Sequence, residues 1–308
     1  MTTFRAEAAA KVNLALAVTA LREDGYHPLR SIFLRLALHD VLEVQLDPQA
    51  GADSLAIDGD LEVSADNLVL RAAARLRETL DPRLPALRFR LVKRIPAAAG
   101  LGGGSADAAT AMDLALRAWG LRLHPARRLE AALRLGADVP FFAAGHAASI
   151  VEGIGEHLVP LPAPEPPAGL LLITPAARLS TADVFAEFDR VAAAGTVADE
   201  RVTEVAELLR EGVDGMTLAA TTAMLREAND LWAPAARLSP GLRATRQAGE
   251  RALGRALLLT GSGPTLFAVY PSETAATRAA IALQADPPSE LDGADIMTTS
   301  TVGTEGDS

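Results

Sequence analysis

The 308-residue chain contains no cysteine, which excludes disulfides and thiolate metal sites and fits a reducing compartment such as the cytoplasm. It lacks any excess of positive charge. With a net charge of −10 at pH 7, no broad nucleic-acid or anionic-membrane surface is expected. A phosphate site must then be locally basic or built from backbone N–H groups. No stretch approaches the ~20 consecutive apolar residues of a membrane span. The N-terminal segment does not read as a signal peptide either, because Arg5, Glu7, Lys11 and Asn13 interrupt its apolar run. Aromatic residues amount to 4% while hydrophobic residues reach 49%, an ordinary soluble globular composition. There is no internal repeat, and the length suggests about two domains at ~150 residues each.

Glycine, by contrast, is concentrated. The stretch Pro96-Ala97-Ala98-Ala99-Gly100-Leu101-Gly102-Gly103-Gly104-Ser105-Ala106 carries four glycines within five residues. Before it, residues 87–93 alternate apolar and basic, the period of a half-buried strand. After it, residues 106–119 are mostly Ala, Met and Leu with no Gly or Pro, which predicts a buried helix. Strand, glycine turn and helix together let backbone N–H groups and a helix N-terminus converge on one anion, with phosphate the expected guest. Glycine reaches positive φ and lets a bulky triphosphate lie against the peptide. The run is not the loop G-x-x-x-x-G-K-S/T, because no lysine follows. It is not a dinucleotide fingerprint, because no acidic strand end lies at the required distance. The plainer alternative is a flexible loop with Ser105 as helix cap.

Residues 8–18 alternate with period two, so Val12, Leu14, Leu16 and Val18 share one face and Lys11, Asn13, Ala15 and Ala17 the other. A lysine held beside small residues on a strand suits a phosphate or an alkoxide, and a solvated strand face is the alternative. Tyr26-His27 leave a turn at residues 22–25, where ring and imidazole either bind a base or simply pack together. Residues 31–38 and 41–46 predict paired strands about a turn at His39-Asp40. Asp66-Asn67 open a helix over 68–79. Asp138, just before Val139-Pro140, reads in isolation as a helix cap. Five prolines in residues 159–167 make a stiff linker. The expected domains are therefore 1–160 and 168–297, with a disordered polar tail at 298–308. A second glycine turn, Gly261-Ser262-Gly263-Pro264, joins two apolar strands and offers N–H groups of its own.

Three stretches in this order resemble the three motifs of the GHMP small-molecule kinases: Ala10-Lys11-Val12-Asn13-Leu14, the glycine run through Ala109, and residues 259–267. Asp24-Gly25-Tyr26-His27, Asp66-Asn67-Leu68-Val69, residues 135–140 and Gly153-Ile154-Gly155-Glu156 are similar to one branch of that superfamily. That branch acts on the cytidyl diphosphate of methylerythritol in isoprenoid precursor synthesis. The likeness covers nearly the whole chain, omitting residues 190–215 and the tail.

The resemblance implies an α/β (α+β) fold of two domains, an N-terminal ATP-binding domain and a C-terminal αβ sandwich. ATP and Mg²⁺ would serve the phosphorylation of the 2-hydroxyl of that substrate, with no nucleic-acid or membrane partner. Residues 96–106 would hold the ATP phosphates, and Asn67, Leu68 and Lys93 would lie against the adenine. Asp138 would be the general base, with Lys11 beside it to keep it ionised and steady charge on the hydroxyl oxygen. Asn13, Tyr26 and His27 would hold the acceptor, His27 on the cytosine edge and Phe185 stacked opposite Tyr26. No side chain is assigned to Mg²⁺. Ala106 departs from the family, which often has a second serine there. A homoserine or mevalonate kinase would keep the glycine run but need no cytosine clamp. A non-catalytic nucleotide-binding regulator would be expected to lose Lys11 or Asp138.

Overall fold

The computed structural model describes residues 2–19, 27–58, 64, 66–191 and 197–303. Contacts divide the chain into two compact units, one of residues 1–10, 38–97 and 102–146 and the other of residues 11–37, 98–101 and 147–308. Strands β1 (Thr3–Val18) and β2 (Leu29–Asp47) contribute to both. From Ala10 onward β1 is buried on both faces, so the side bearing Lys11 and Asn13 is not solvated.

β2 runs unbroken through His39 and Asp40, where the sequence predicts a turn. Neither residue is glycine or asparagine, the types that take positive φ in a two-residue hairpin most readily. Asp40 is fully buried instead, and its Oδ1 accepts the backbone N–H groups of Arg94 at 2.5 Å and Ile95 at 2.9 Å. A hairpin tip would have carried that carboxylate into solvent.

The first unit adds β3 (Ser54–Asp58), α1 (Leu68–Thr79), β4 (Ala86–Val92), α2 (Gly103–Trp119), α3 (Pro125–Leu133) and α4 (Val139–Ala144). β4 pairs antiparallel with Val41–Asp47 of β2 and parallel with β3. Along β4 the residues Leu87, Phe89 and Leu91 are buried while Arg88 and Arg90 are exposed, the alternation predicted for this strand. α2 is buried over most of its length, and its alanines let α1 and α4 pack close.

The second unit contains β5 (Ala148–Gly153) and β6 (His157–Leu161), with β5 antiparallel to Leu29–Leu34 of β2 and to β6. Contacts divide the chain at His146 and Ala147, because Pro160 and Leu161 pair with Ser149 and Ala148. As the last strand of its sheet, β6 tolerates the proline.

A second sheet follows, made of β7 (Gly169–Thr174), β8 (Leu258–Leu259), β9 (Leu266–Tyr270) and β10 (Asp295–Ser300) in the order β10-β7-β9-β8. The helices of this unit are α5 (Thr181–Val191), α6 (Val197–Arg210), α7 (Gly215–Thr221), α8 (Trp232–Leu238), α9 (Pro240–Leu253) and α10 (Glu273–Ala285). Leu171, Ile173, Leu257, Leu266, Ala268 and Tyr270 join residues of α5, α8, α9 and α10 in one apolar core.

The tail expected from Thr298 needs correcting. Thr298, Thr299 and Ser300 belong to β10 and pair with Leu171, Leu170 and Gly169. Threonine is at home on a half-buried pleated surface, so a polar stretch there is no sign of disorder. Residues 304–308 lie outside the described residues.

Candidate active site

Within the second unit, the lysine strand and both glycine turns converge on a few buried polar groups. Lys11 and Asn13, two apart on one side of β1, are only 3% and 2% exposed. Lys11 Nζ donates to Asn13 Oδ1 at 2.7 Å and to the Gly100 carbonyl at 3.2 Å, and it stands 4.7 Å from the centre of the Phe33 ring. Asn13 makes further contacts, one of them relayed through Ser31. Its Nδ2 donates to Ser31 Oγ at 2.9 Å, Ser31 in turn donates to the Ala15 carbonyl at 2.6 Å, and the Asn13 N–H reaches Thr260 Oγ1 at 3.2 Å. The amide of Asn13 therefore presents its oxygen to the ammonium with little freedom to flip.

The glycine run is fixed against the same group. The Lys11 N–H donates to the Leu101 carbonyl at 2.9 Å, and Thr260 Oγ1 lies 3.1 Å from the Gly100 carbonyl. Gly100 has φ 77°, and a Cβ on it would sit 2.4 Å from the Thr260 carbonyl oxygen, so glycine is obligatory by both conformation and space. Gly261, at φ 56°, stands so that a Cβ would come within 3.6 Å of Lys11 Nζ and Asn13 Oδ1. Thr260, which organises this meeting point, escaped the sequence analysis. Its signal was its place at the head of the second glycine turn.

In the first unit the run continues into α2. Gly102 is left-handed at φ 71° and the helix begins at Gly103, which leaves Ser105 inside the first turn instead of at the cap. The first intrahelical bond in this region runs from the Ala106 N–H to the Gly102 carbonyl. The N–H groups of Gly103, Gly104 and Ser105 have no acceptor within the helix and form a donor set suited to an anion. A Cβ on Gly104 would meet Leu68 at 3.6 Å, and one on Gly103 would meet Ile95 at 3.0 Å and Lys93 Nζ at 3.3 Å. Leu68 and Lys93 therefore flank the start of α2. Asn67 is spent as a cap, its Oδ1 accepting the Val69 N–H at 2.9 Å.

The head of Lys93, expected against the adenine, is engaged by carboxylates. Its ammonium donates to Asp107 Oδ2 at 2.8 Å and to Asp40 Oδ2, both buried carboxylates. Burial and the Asp40 charge push the Asp107 carboxyl up to about 7, against the opposing pull of Lys93. Neither aspartate was singled out beforehand as a site residue. Asp107 follows the glycine run directly, but Asp40 carries no local signal because its partners lie more than fifty positions away.

Asp138 stands at the N-terminus of α4 with φ −86° and ψ −15°, half-buried, and makes no capping bond to the helix. The cap alternative is not realised. Lys11 and Asp138 belong to different units.

Of the residues expected at the base, Tyr26 lies outside the described residues, while His27 and Phe185 are brought together. Their rings stack with centres 6.0 Å apart at 27°, and Phe188 meets His27 edge-on at 5.5 Å. The His27 ring is already engaged through both nitrogens, Nδ1 with the Thr19 carbonyl at 2.8 Å and Nε2 with Asp189 Oδ1 at 2.7 Å. A cytosine edge would have to displace one of these. Asp189, on α5, had no distinguishing mark in the sequence.

The GHMP kinases N terminal domain matches residues 67–146, and the GHMP kinases C terminal domain matches residues 216–288. The fold and these matches define a GHMP kinase. A 4-diphosphocytidyl-2-C-methyl-D-erythritol kinase of Rhodospirillum rubrum is 38% identical over 274 residues, 87% of this chain and 84% of its own length. That of Nitrobacter winogradskyi is 39% identical over 290 residues, 91% of this chain and 90% of its own. A crystal structure of 4-(cytidine 5'-diphospho)-2C-methyl-D-erythritol kinase superposes with a TM-score of 0.72 at 32% identity, covering 97% of this chain and 100% of that one. The mevalonate kinase of Methanococcus jannaschii, at 12% identity and a TM-score of 0.69, shares the fold. The chain belongs to the 4-diphosphocytidyl-2-C-methyl-D-erythritol kinase family. Among the described residues no helix is long and apolar enough to cross a membrane.

Proposed function

We propose that this kinase transfers the γ-phosphoryl group of ATP to the 2-hydroxyl of 4-(cytidine 5'-diphospho)-2-C-methyl-D-erythritol. The observation that carries the reading is the convergence of Lys11, Asn13, Gly100 and Thr260, which joins three distant motifs at one buried point. In this reading the N–H groups of Gly103, Gly104 and Ser105 take the phosphate oxygens. Because phosphoryl transfer has a loose transition state, the main task of the chain is to position the two reactants and spread charge over fixed donors. Asp138 accepts the hydroxyl proton late in the transfer, and Lys11 steadies the negative oxygen it leaves. The Asn13 amide holds the Lys11 ammonium on that oxygen.

Leu68 and the aliphatic stem of Lys93 offer the adenine an apolar wall, since the Lys93 head is occupied by aspartates. Phe185 supplies a face for the cytosine, backed by His27. Mg²⁺ would neutralise phosphate charge during transfer. Among the described residues no group of three or more acidic or imidazole side chains is set to hold a metal. In this reading the ion would be carried in mainly by phosphate oxygens and water. The cytoplasm is the expected location.

The test is a phosphorylation assay of the full chain with Mg–ATP across candidate alcohols. Turnover on the cytidyl diphosphate of methylerythritol, and little on homoserine or mevalonate, is the expected result. Preference for either of the latter would overturn the substrate assignment.

A further inference from the structure

Beneath the start of α2 the charges do not balance. One ammonium, Lys93, faces two buried carboxylates, and Asp40 is fully served by Lys93 and by the N–H groups of Arg94 and Ile95. Asp107 is different. Its Oδ2 accepts from Lys93 at 2.8 Å, but its Oδ1 is buried and has no hydrogen-bond partner among the described residues. An excess negative charge with an unserved oxygen is costly in a site that excludes water. Among the described residues, the cation that acts on Asp107 is Lys93. The sides of α1 and α4 that pack on α2 carry Val69, Ala73, Leu76, Val139 and Phe141, all buried. The charged groups facing Asp107 are Lys93 from the end of β4 and Asp40 from β2.

This cluster lies under the donors read above as the phosphate site. Lys93 Nζ is 3.3 Å from the place a Gly103 Cβ would occupy, and Asp107 is two residues beyond Ser105 on the same helix. A nucleotide polyphosphate arriving at these N–H groups adds several negative charges close to a carboxylate that is already in excess.

We propose that Asp107 is a positioning residue of the phosphate loop that takes up a proton when nucleotide binds, while Lys93 ties the first turns of α2 to the end of β4. The neutral acid removes the unbalanced charge from behind the loop and keeps one oxygen on Lys93. The inference rests on residues 96–106 being the ATP-phosphate site.

Calorimetry of the full chain with ADP at saturating Mg²⁺, where the nucleotide itself is fully ionised, tests it in buffers of low and high ionisation heat. The expected uptake is about half a proton at pH 7, rising towards about one at pH 8. By the same linkage the Kd should weaken several-fold between those two pH values. Asp107→Asn, which keeps the shape and removes the charge, should bind with almost no uptake. Wild-type binding with a heat independent of buffer and an affinity independent of pH would overturn the proposal, and needs no variant to fold. Equal uptake in Asp107→Asn would overturn it too, by placing the proton elsewhere. Absence of any nucleotide binding would remove the phosphate-site reading and the inference with it, so the two failures are distinguishable.

Discussion

Lys11 and Lys93 are both held largely out of solvent, one in each unit, and the hydrogen bonds described for them differ in kind. The hydrogen bonds described for Lys11 go to an amide oxygen and a backbone carbonyl, with an aromatic face beside it. Those of Lys93 go to two carboxylates. Two carboxylates more than cancel the charge of the one ammonium at Lys93. In the proposed reading the first lysine serves the chemistry, while its two carboxylates tie the second to the packing of α2. Sequence alone does not separate them, because each is a lysine on or just after an alternating strand.

The comparison breaks first if Lys93 proves dispensable. Lys93→Met leaves two buried carboxylates facing each other and should cost about 3–5 kcal/mol of stability, read by urea unfolding at neutral pH. Unchanged stability would show that Lys93 neutralises nothing. For Lys11→Met and Asp138→Asn the sign of the comparison reverses. Each should lower kcat by on the order of 10²-fold or more, with the melting temperature within a few degrees of wild type and nucleotide affinity little changed. Near wild-type turnover in Asp138→Asn would remove it from the mechanism.

What was legible follows the same division. The motifs around Lys11, the glycine run and the turn at Gly261 each carry local chemistry, since positive φ and close approach demand glycine wherever they fall. Their meeting could be inferred from a family resemblance. The role of Lys93 could not, because it depends on Asp40, 53 positions earlier along the chain. The same buried carboxylate explains the missed continuity of β2. His-Asp resembles a turn locally, and only the backbone donors of Arg94 and Ile95 make it a strand interior. Asp189 was equally hidden, one acid among several on an amphipathic helix.

A smaller effect concerns the ring pair in the second unit. Phe185→Ala should raise KM for the cytidyl substrate about tenfold, since stacking on a base is worth roughly 1 to 3 kcal/mol and ~1.4 kcal/mol is a factor of ten. KM for ATP should stay put. Asp189→Ala should raise the same KM only a few-fold, by loosening His27 beneath Phe185. If Asp189→Ala instead lowers it, His27 Nε2 binds the base directly and Asp189 competes with the substrate. A loss confined to ATP would move Phe185 to the nucleotide side.

The smallest effect isolates the carboxylate that separates the two lysine sites. Burial, aided by Asp40, raises Asp107 from an ordinary 3.8 to about 7 in the folded protein. Between those values the folded chain holds a proton that the unfolded chain has released, so stability falls as pH rises through the window, and above about 7 the loss is complete. Asp107→Asn has no such proton to lose. Measured against wild type, its melting temperature should therefore gain a few degrees between about pH 5 and pH 8, a chain of this size moving roughly 1.5 °C per kcal/mol. Taking the difference between the two proteins cancels every other titrating group they share. A gap that stays constant across that range would mean Asp107 is ionised throughout. The excess charge beside Lys93 would then be tolerated at neutral pH, and Lys93 would be a cation in deficit, further still from the Lys11 arrangement.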